Sequence, residues 1–566
     1  MKAWNYHILF LQISLCIAVL SADAQNLENE IFLRAMRDEL NRSMAELHSP
    51  DVQPPFFIMY GATDQKTYTI SATLGSLQES LESTNRFKTT TRVLVGDYSF
   101  NDESLDDNLF SSPTAAEIGL PMDDDYEGIR RAFWSTTDNV YRDASKHFEK
   151  HKRTLKESGK SLKDHPHRSF AKGKPIELVS KLAPSNFDVK SCEEQVRNLS
   201  AIFINHPFVL NSGVGIRFVE GYKYLVNSEG VVAKIPHSVA TFFVAGQAKN
   251  DKGEFLFDQI IHVVKKPDQL PTEEELTQEI NKLISNLNVQ LEIPDFDDEY
   301  RGPVLFLGPS VANLFSNALS TGRERITAND NINKLSGYQY NNELGSMTNK
   351  IGNKVMDRSI TIKAKPRLDT FQGIELLGSF QIDDEGMIPP DELTIIEKGI
   401  LKELLNNRTL TDSLQKANGF SSGPGVLEVR LNQNDSEEVL KKKLMDAARE
   451  EGLEYALIVR DSPGIGFRPV NAYKVSLKDG SEELVKNVIL NQSGFRPIND
   501  ILGASNAYQA VNLSVGNGGG PNAFSGGGVV SFITPNAILV EEIECQPFRM
   551  PSLLEDTYVS NPLVKD

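Results

Sequence analysis

The stretch Gly302-Pro303-Val304-Leu305-Phe306-Leu307-Gly308-Pro309-Ser310-Val311-Ala312-Asn313-Leu314-Phe315-Ser316-Asn317-Ala318-Leu319-Ser320-Thr321 decides how the chain is read. Val304–Leu307 is a short unbroken apolar run, the pattern of a strand buried on both faces. Gly308-Pro309 punctuates it, and Ser310–Leu319 reads as a short helix. Before this point, amphipathic helices alternate with strands. After it, short β segments and glycine-containing turns prevail, with one clear helix at Ser436–Glu451. The late strands expected are Ala456–Val459, Val470–Ser476, Glu483–Leu490 and Val529–Ile533. The expectation is therefore an α+β protein. It has an N-terminal mixed α/β domain over 25–300 and a β-rich, largely antiparallel C-terminal domain over 301–566.

Working back towards the N-terminus, Thr272–Leu287 reads as a helix, with Glu273–Glu275 in its first turn where the helix dipole favours acids. Val209–Glu220, Tyr222–Asn227, Val239–Lys249 and Phe255–Val264 read as strands. Turn chemistry at Asn227–Gly230 and Asn250–Gly253 suggests hairpins between them. Ser191–His206 reads as a helix. Ile129, Phe133, Val140, Ala144 and Phe148 lie on one face of a long amphipathic helix. Its tail carries Lys146, Lys150, Lys152, Arg153 and Lys156, expected as a solvated face near a helix C-terminus. Phe56–Tyr60, Thr67–Leu74 and Thr91–Asp97 read as short strands. Residues 27–48 read as a helix from the spacing of Phe32, Met36, Leu40, Met44 and Leu47. At the front, Lys2, the apolar run Ile8–Leu20 and Ala22-Asp23-Ala24 form the pattern of a cleaved signal peptide, residues 1–24. That places the mature protein outside the cytoplasm, secreted or periplasmic. No later run is long and apolar enough for a transmembrane helix.

Composition narrows the function. The 566 residues carry 59 Lys and Arg against 77 Asp and Glu, a net charge of −18. So acidic a chain lacks the cationic surface that phosphate contacts need, which argues against a nucleic-acid binder. The mature chain keeps two cysteines, Cys192 and Cys545. They could pair in an oxidising compartment, but two thiolates cannot close a zinc shell alone.

The chemical motifs are weak one by one. Nine histidines occur, the last at His262, and no His-Glu-x-x-His is present. His147 and His151 share a helix side at i,i+4, but Phe148 stands where a zinc protease needs a carboxylate. Gly419-Phe420-Ser421-Ser422-Gly423 matches a nucleophile elbow in letters only. The preceding Leu410–Asn418 looks helical rather than extended, and no histidine follows to act as base, so Ser421 reads as a turn residue. The glycines of 516–520 and 526–528 precede a strand, not a helix, which argues for tight turns beside a cleft rather than a phosphate cradle. Asp383-Asp384-Glu385-Gly386 could offer carboxylates for a cation or for acid–base work, and such clusters are more often turns.

Taken in order, several segments resemble the TldD/PmbA family of metallopeptidase-related proteins and look closest to its secreted members. They are Tyr224-Leu225-Val226-Asn227-Ser228-Glu229-Gly230, Tyr300–Phe306, Ser379-Phe380-Gln381-Ile382-Asp383-Asp384-Glu385-Gly386, Ile395–Leu401 and Asp479-Gly480 to Val485. The resemblance covers most of residues 190–545. It implies a strand-lined cleft, to which Gly518, Gly519, Gly520, Asp383, Asp384 and Glu385 would contribute. It implies a homodimer or a heteromer with a TldD-like subunit, with peptide as the ligand. Catalytic relatives hold zinc through His-Glu-Ala-x-Gly-His after the Val304–Leu307 strand and through a later Cys. Here Ser316 and Thr321 stand in place of the two His and Asn317 in place of the Glu. No Cys lies near Gly516–Gly528. The resemblance thus points to the non-catalytic, TldE-like side of the family, with no catalytic residue and no metal. Three rivals stay open. One is an active peptidase with a divergent set such as His147, His151 and Asp143. Another is a peptidase completed by a catalytic homologue. The third is a structural envelope protein.

Overall fold

The structure, a computed structural model, describes residues 30–48, 53–105, 119–159, 161, 167–249, 255–320, 326–328, 347–411, 416–460, 470–491, 494–515, 528–548 and 563. The segment 1–24 expected to be a signal peptide, Thr321, Gly518–Gly520, His165 and the turn expected at 250–253 lie outside the described residues.

Among the described residues, the N-terminal region is one six-stranded sheet with four α-helices. Its strands are β1 (Pro55–Thr73), β2 (Ser76–Val95), β4 (Ile176–Val179), β5 (Val209–Asn227), β6 (Val231–Lys249) and β7 (Phe255–Val264), and a two-residue β3 (Ser169–Phe170) stands apart from it. The order is β2-β1-β5-β6, with β4 and β7 both on the outer side of β6. The expected short strands Phe56–Tyr60 and Thr67–Leu74 are one continuous strand, and Thr91–Asp97 is the end of another that begins at Ser76. The turn between them is only Leu74-Gly75, both at positive φ (47° and 77°), as a two-residue hairpin loop needs. The polar middles, such as Thr63–Lys66, show no alternation. They extend because β1 is paired on both sides.

Side chains alternate along a strand, so Ile58, Tyr60, Ala62, Ile70 and Ala72 share one face. Helices α1 (Ile31–Glu46) and α2 (Tyr126–Ser158) cover one end of that face, and α3 (Val189–Ala201) and α4 (Glu273–Glu292) the other. The predicted stripe Ile129, Phe133, Val140, Ala144 and Phe148 is buried. Asp125 caps α2 through the Gly128 N–H, and Gly159 ends it at φ 63°. Thr272 and Glu275 form a reciprocal capping box at α4. The basic tail of α2 faces solvent, with Lys146 and Lys152 paired to Asp143 and Glu149 on the same helix.

The C-terminal region stacks two six-stranded sheets. It contains β8 (Tyr300–Leu307), β9 (Ile360–Ala364), β10 (Thr370–Phe371), β11 (Ile374–Glu375), β12 (Leu393–Glu397), β13 (Ile400–Leu401), β14 (Thr409–Leu410), β15 (Val426–Leu431), β16 (Tyr455–Val459), β17 (Val470–Ser476), β18 (Glu482–Leu490), β19 (Ile501–Ala504), β20 (Tyr508–Val515), β21 (Gly528–Pro535) and β22 (Ala537–Pro547). One sheet runs β13-β12-β9-β15-β21-β20 and the other β18-β17-β16-β8-β22-β19. Among the described residues, only β15–β21 and β16–β8 pair in parallel within them. Val304 and Phe306 point into the core between the sheets. Leu305 and Leu307 point outward under helix α6 (Glu437–Glu450), against Leu440 and Leu444. That two-sided burial is why β8 reads as an unbroken apolar run. Helix α5 (Pro309–Ser320) leaves β8 directly and enters the core, where Ser310 to Leu319 are all buried. The helix expected at Leu410–Asn418 does not form among the described residues. Leu410 pairs with Ser169 in a two-residue bridge between the regions, and Lys416–Asn418 is irregular.

Cys192 and Cys545 are free thiols in different cores. Cys192 packs with the α3–α4 cluster, and Cys545 lies in the inter-sheet core. Burial pushes the Cys192 thiol up to about 11 and that of Cys545 higher still, so neither is a ready nucleophile.

Candidate functional site

Two polar constellations stand out. The first is α5. Its buried polar residues are Ser310, Asn313, Ser316 and Asn317, at 1%, 2%, 2% and 7% exposure. All are neutral. Ser310 fixes the start of the helix: its Oγ accepts from the Leu307 N–H at 3.1 Å and lies 3.0 Å from the Val459 carbonyl. The helix packs against β21, the strand that follows the glycine-rich segment, and against β8. On β21, Ser531 Oγ accepts from the Gly378 N–H at 2.9 Å and donates to Asn512 Oδ1 at 2.6 Å. Thus Ser316 and Asn317 sit on a helix beside the strand that the glycine segment feeds. Thr321 and Gly518–Gly520 are outside the described residues.

The donor set does not fit zinc. Hydroxyls and amides are poor Zn²⁺ ligands, and an amide takes no proton from bound water. Residues 303–546 hold no histidine and one cysteine, Cys545, whose thiol is buried in the core. The alternative set does not assemble either. His151 is buried against the Asn101 carbonyl, while Asp143 pairs with Lys146 near the surface. Among the described residues, no three of His, Cys, Asp and Glu could hold a metal ion.

The second constellation joins the two regions and is densely charged. The turn Asp383–Gly386 docks against the β5–β6 hairpin, with Ile382 packed on Phe57, Met59, Leu225 and Val231. Glu385 Oε1 accepts from Arg92 Nη1 at 2.6 Å, and Oε2 accepts from the Arg408 N–H at 2.7 Å. Arg92 also holds Glu103 through two nitrogens. The Arg408 side chain is fully buried. Its Nη2 donates to Glu229 Oε2 at 2.6 Å, and its Nε to the Ala171 carbonyl at 2.9 Å. The guanidinium lies over the rings of Phe170 (4.2 Å) and Phe57 (4.9 Å). Tyr98 and the Gly173 N–H donate to the other oxygen of Glu229. Asn227 Oδ1 shapes the hairpin by accepting from the Glu229 and Val231 N–H groups.

Asp383 accepts from the Glu385, Met387 and Ser421 N–H groups. Burial first, and then the charge of Glu385, push its carboxyl up to about 7 against those donors. Burial and the charge of Glu103 likewise raise Asp102. Arg92 is disfavoured by burial, but Glu103 and Glu385 outweigh this and keep it charged. Ser421 is a turn residue whose Oγ accepts from the Glu385 N–H. Of the acidic cleft positions suggested by sequence, Asp383 and Glu385 are therefore engaged inside the junction, and Asp384 is exposed. Arg92 and Arg408 were not singled out from sequence. One lies in a polar strand and the other in the polar run Asn406–Thr409, with no spacing that marks either.

Comparison with known proteins fits this architecture. Residues 303–546 match the family described as the PmbA/TldA metallopeptidase C-terminal domain. No curated protein sequence matches the chain. A proposed modulator of DNA gyrase from Thermotoga maritima aligns with TM-score 0.55 at 14% identity, covering 90% of this chain and 99% of that one. Another from Bacteroides thetaiotaomicron aligns with TM-score 0.55 at 11% identity, covering 92% and 99%. TldE from Thermococcus kodakarensis reaches TM-score 0.48 at 12% identity over 87% and 96%, too weak a likeness to build on. At these identities the structures share the fold and no more. The C-terminal region, residues 303–546, is thus similar to the PmbA/TldA metallopeptidase C-terminal domain, and the chain shares its fold with the two proposed gyrase modulators.

Proposed function

We propose that this chain is a secreted, TldD/TldE-like protein that binds extended peptide or a partner subunit and does not itself cleave peptide bonds. One observation carries the reading: the buried helix that follows β8 offers Ser316 and Asn317, in a 244-residue match that contains no histidine. A hydrolytic zinc needs three protein ligands and a proton acceptor for its water. The fold remains, while the donor atoms are hydroxyl and amide. The basic, apolar and small-residue order of residues 1–24 supports export.

The test is peptide hydrolysis by the purified chain from Gln25 onward, with and without chelator, on a mixture of unstructured peptides. No chelator-sensitive cleavage is expected, and binding of labelled peptide is. Cleavage that a chelator abolishes would overturn the reading. Co-expression with a homologue that keeps the His-Glu motif then separates a subunit from a stand-alone binder: co-purification is the mark of the first.

A further inference from the structure

Helix α2 runs on past the core that holds it. Its last buried residue is His151, and none of Lys152–Ser158 is buried. That overhang makes about 10 Å of helix. It reads Lys152-Arg153-Thr154-Leu155-Lys156-Glu157-Ser158, three cations against one carboxylate. Lys146 and Lys150 stand exposed on the turns just before it. Pairs within the helix neutralise Lys146 and Lys152, but Lys150, Arg153 and Lys156 form no ion pair among the described residues. They sit at i, i+3 and i+6, over about 9 Å of rise. That is within a Debye length of about 8–10 Å, so the three repel one another. The sequence stays basic beyond the helix. Residues 146–174 hold ten Lys and Arg against three Asp and Glu, in a chain of net charge −18. The helix dipole accounts for cations in the last turn. It does not account for a like-charged run that starts before that turn and continues where nothing packs beneath it.

We propose that this overhang docks on the anionic headgroups of a lipid bilayer. A cluster of Lys and Arg on one amphipathic helix suits such a surface, because each cation near the headgroups adds to the affinity. The shape agrees. The cations stand on a projecting, convex ridge, whereas a small or extended ligand is held in a concave site. A single-stranded nucleic acid would need aromatic rings among the cations to stack its bases. The rings here are turned inward, since Phe148 and His151 are buried. The charge match is local. At its other end α2 begins behind Asp123–Asp125 and Glu127, all exposed. The tail therefore meets the surface, and the full length of the helix does not. Acidic groups elsewhere in the chain, more than a Debye length away, are largely screened from the headgroups.

The experiment is co-sedimentation of the chain from Gln25 onward with vesicles of phosphatidylcholine, either pure or with about a third phosphatidylglycerol. Retention is expected on the anionic vesicles only, and it should fall as salt is added. Lys150→Gln, Arg153→Gln and Lys156→Gln together should weaken binding about a hundredfold, and the matching triple to Glu should weaken it more. Circular dichroism should be unchanged in the Gln triple. Lys282→Glu, Lys442→Glu and Lys478→Glu change the net charge as much as the Glu triple, at exposed positions on other elements, and should leave binding nearly unchanged. Equal retention on both kinds of vesicle, no retention on the anionic ones, or an equal loss from the two Glu triples would overturn the proposal. So would tighter binding to poly-glutamate than to the anionic vesicles, which would make the occupant an acidic polypeptide. The outcome is separate from the peptide-binding reading, because the vesicle assay contains no peptide and the hydrolysis assay no lipid.

Discussion

Helix α5 and the junction around Arg408 both bury polar side chains, and they do it in opposite ways. In α5 the polar residues are neutral, short and close in sequence. At the junction two arginines and the carboxyl groups of Glu103, Glu229, Asp383 and Glu385 are gathered from one strand and several turns far apart in sequence. A neutral hydroxyl can be buried for one hydrogen bond. A buried charge needs a partner and further donors, or it is strongly destabilising. Helix α5 holds no ionic side chain among its buried residues, and dense ionic chemistry lies where the two regions meet. The contrast teaches that in this chain the charged cluster is a structural joint, whereas helix α5 buries neutral polar groups only.

The largest expected effect comes from breaking the joint. Arg408→Ala leaves Glu229 buried without its cation and Phe170 without its stacking partner. The cost should be about 3–5 kcal/mol, read as a lowered denaturant midpoint or as loss of folded protein. Ser316→Ala at the other pole should cost about 1 kcal/mol. If the two substitutions prove equal, the contrast between the regions fails.

A smaller effect is expected in the pH profile. Asp383 is pushed up to about 7 in the folded protein, while an unfolded aspartate titrates near 3.9. Between those values the folded state holds the extra proton. The contribution of Asp383 is therefore full at acid pH and is lost as pH rises through about 7. Asp383→Asn should remove that part of the slope. The measurement is the difference in urea midpoint between wild type and variant at steps across this window. A constant difference would show that Asp383 does not titrate there.

How much was legible in advance follows the same divide. Helices α2, α4 and α6 were readable because caps and apolar stripes are local signals, and β8 because two-sided burial leaves an unbroken run. The length of β1 and β2 was not, because Thr63–Lys66 and Ser76–Thr90 are polar and take their extension from neighbouring strands. The α5 substitutions were visible as residue types in sequence order. The joint was not: Arg408 meets Glu229 across 179 residues, and Arg92 meets Glu385 across 293. No periodicity or spacing carries information over such distances. Only the turn residues Asn227–Gly230 and Asp383–Gly386 hinted that something was held there.

The smallest expected signal is also the most direct test of the central claim. Zinc per chain should be counted by mass spectrometry on protein purified from Gln25 onward without chelator, and again after incubation with excess zinc and desalting. A chain that offers hydroxyls and an amide should retain less than about a tenth of an equivalent in both samples. Retention near one equivalent, lost on chelation together with peptide cleavage, would contradict the account.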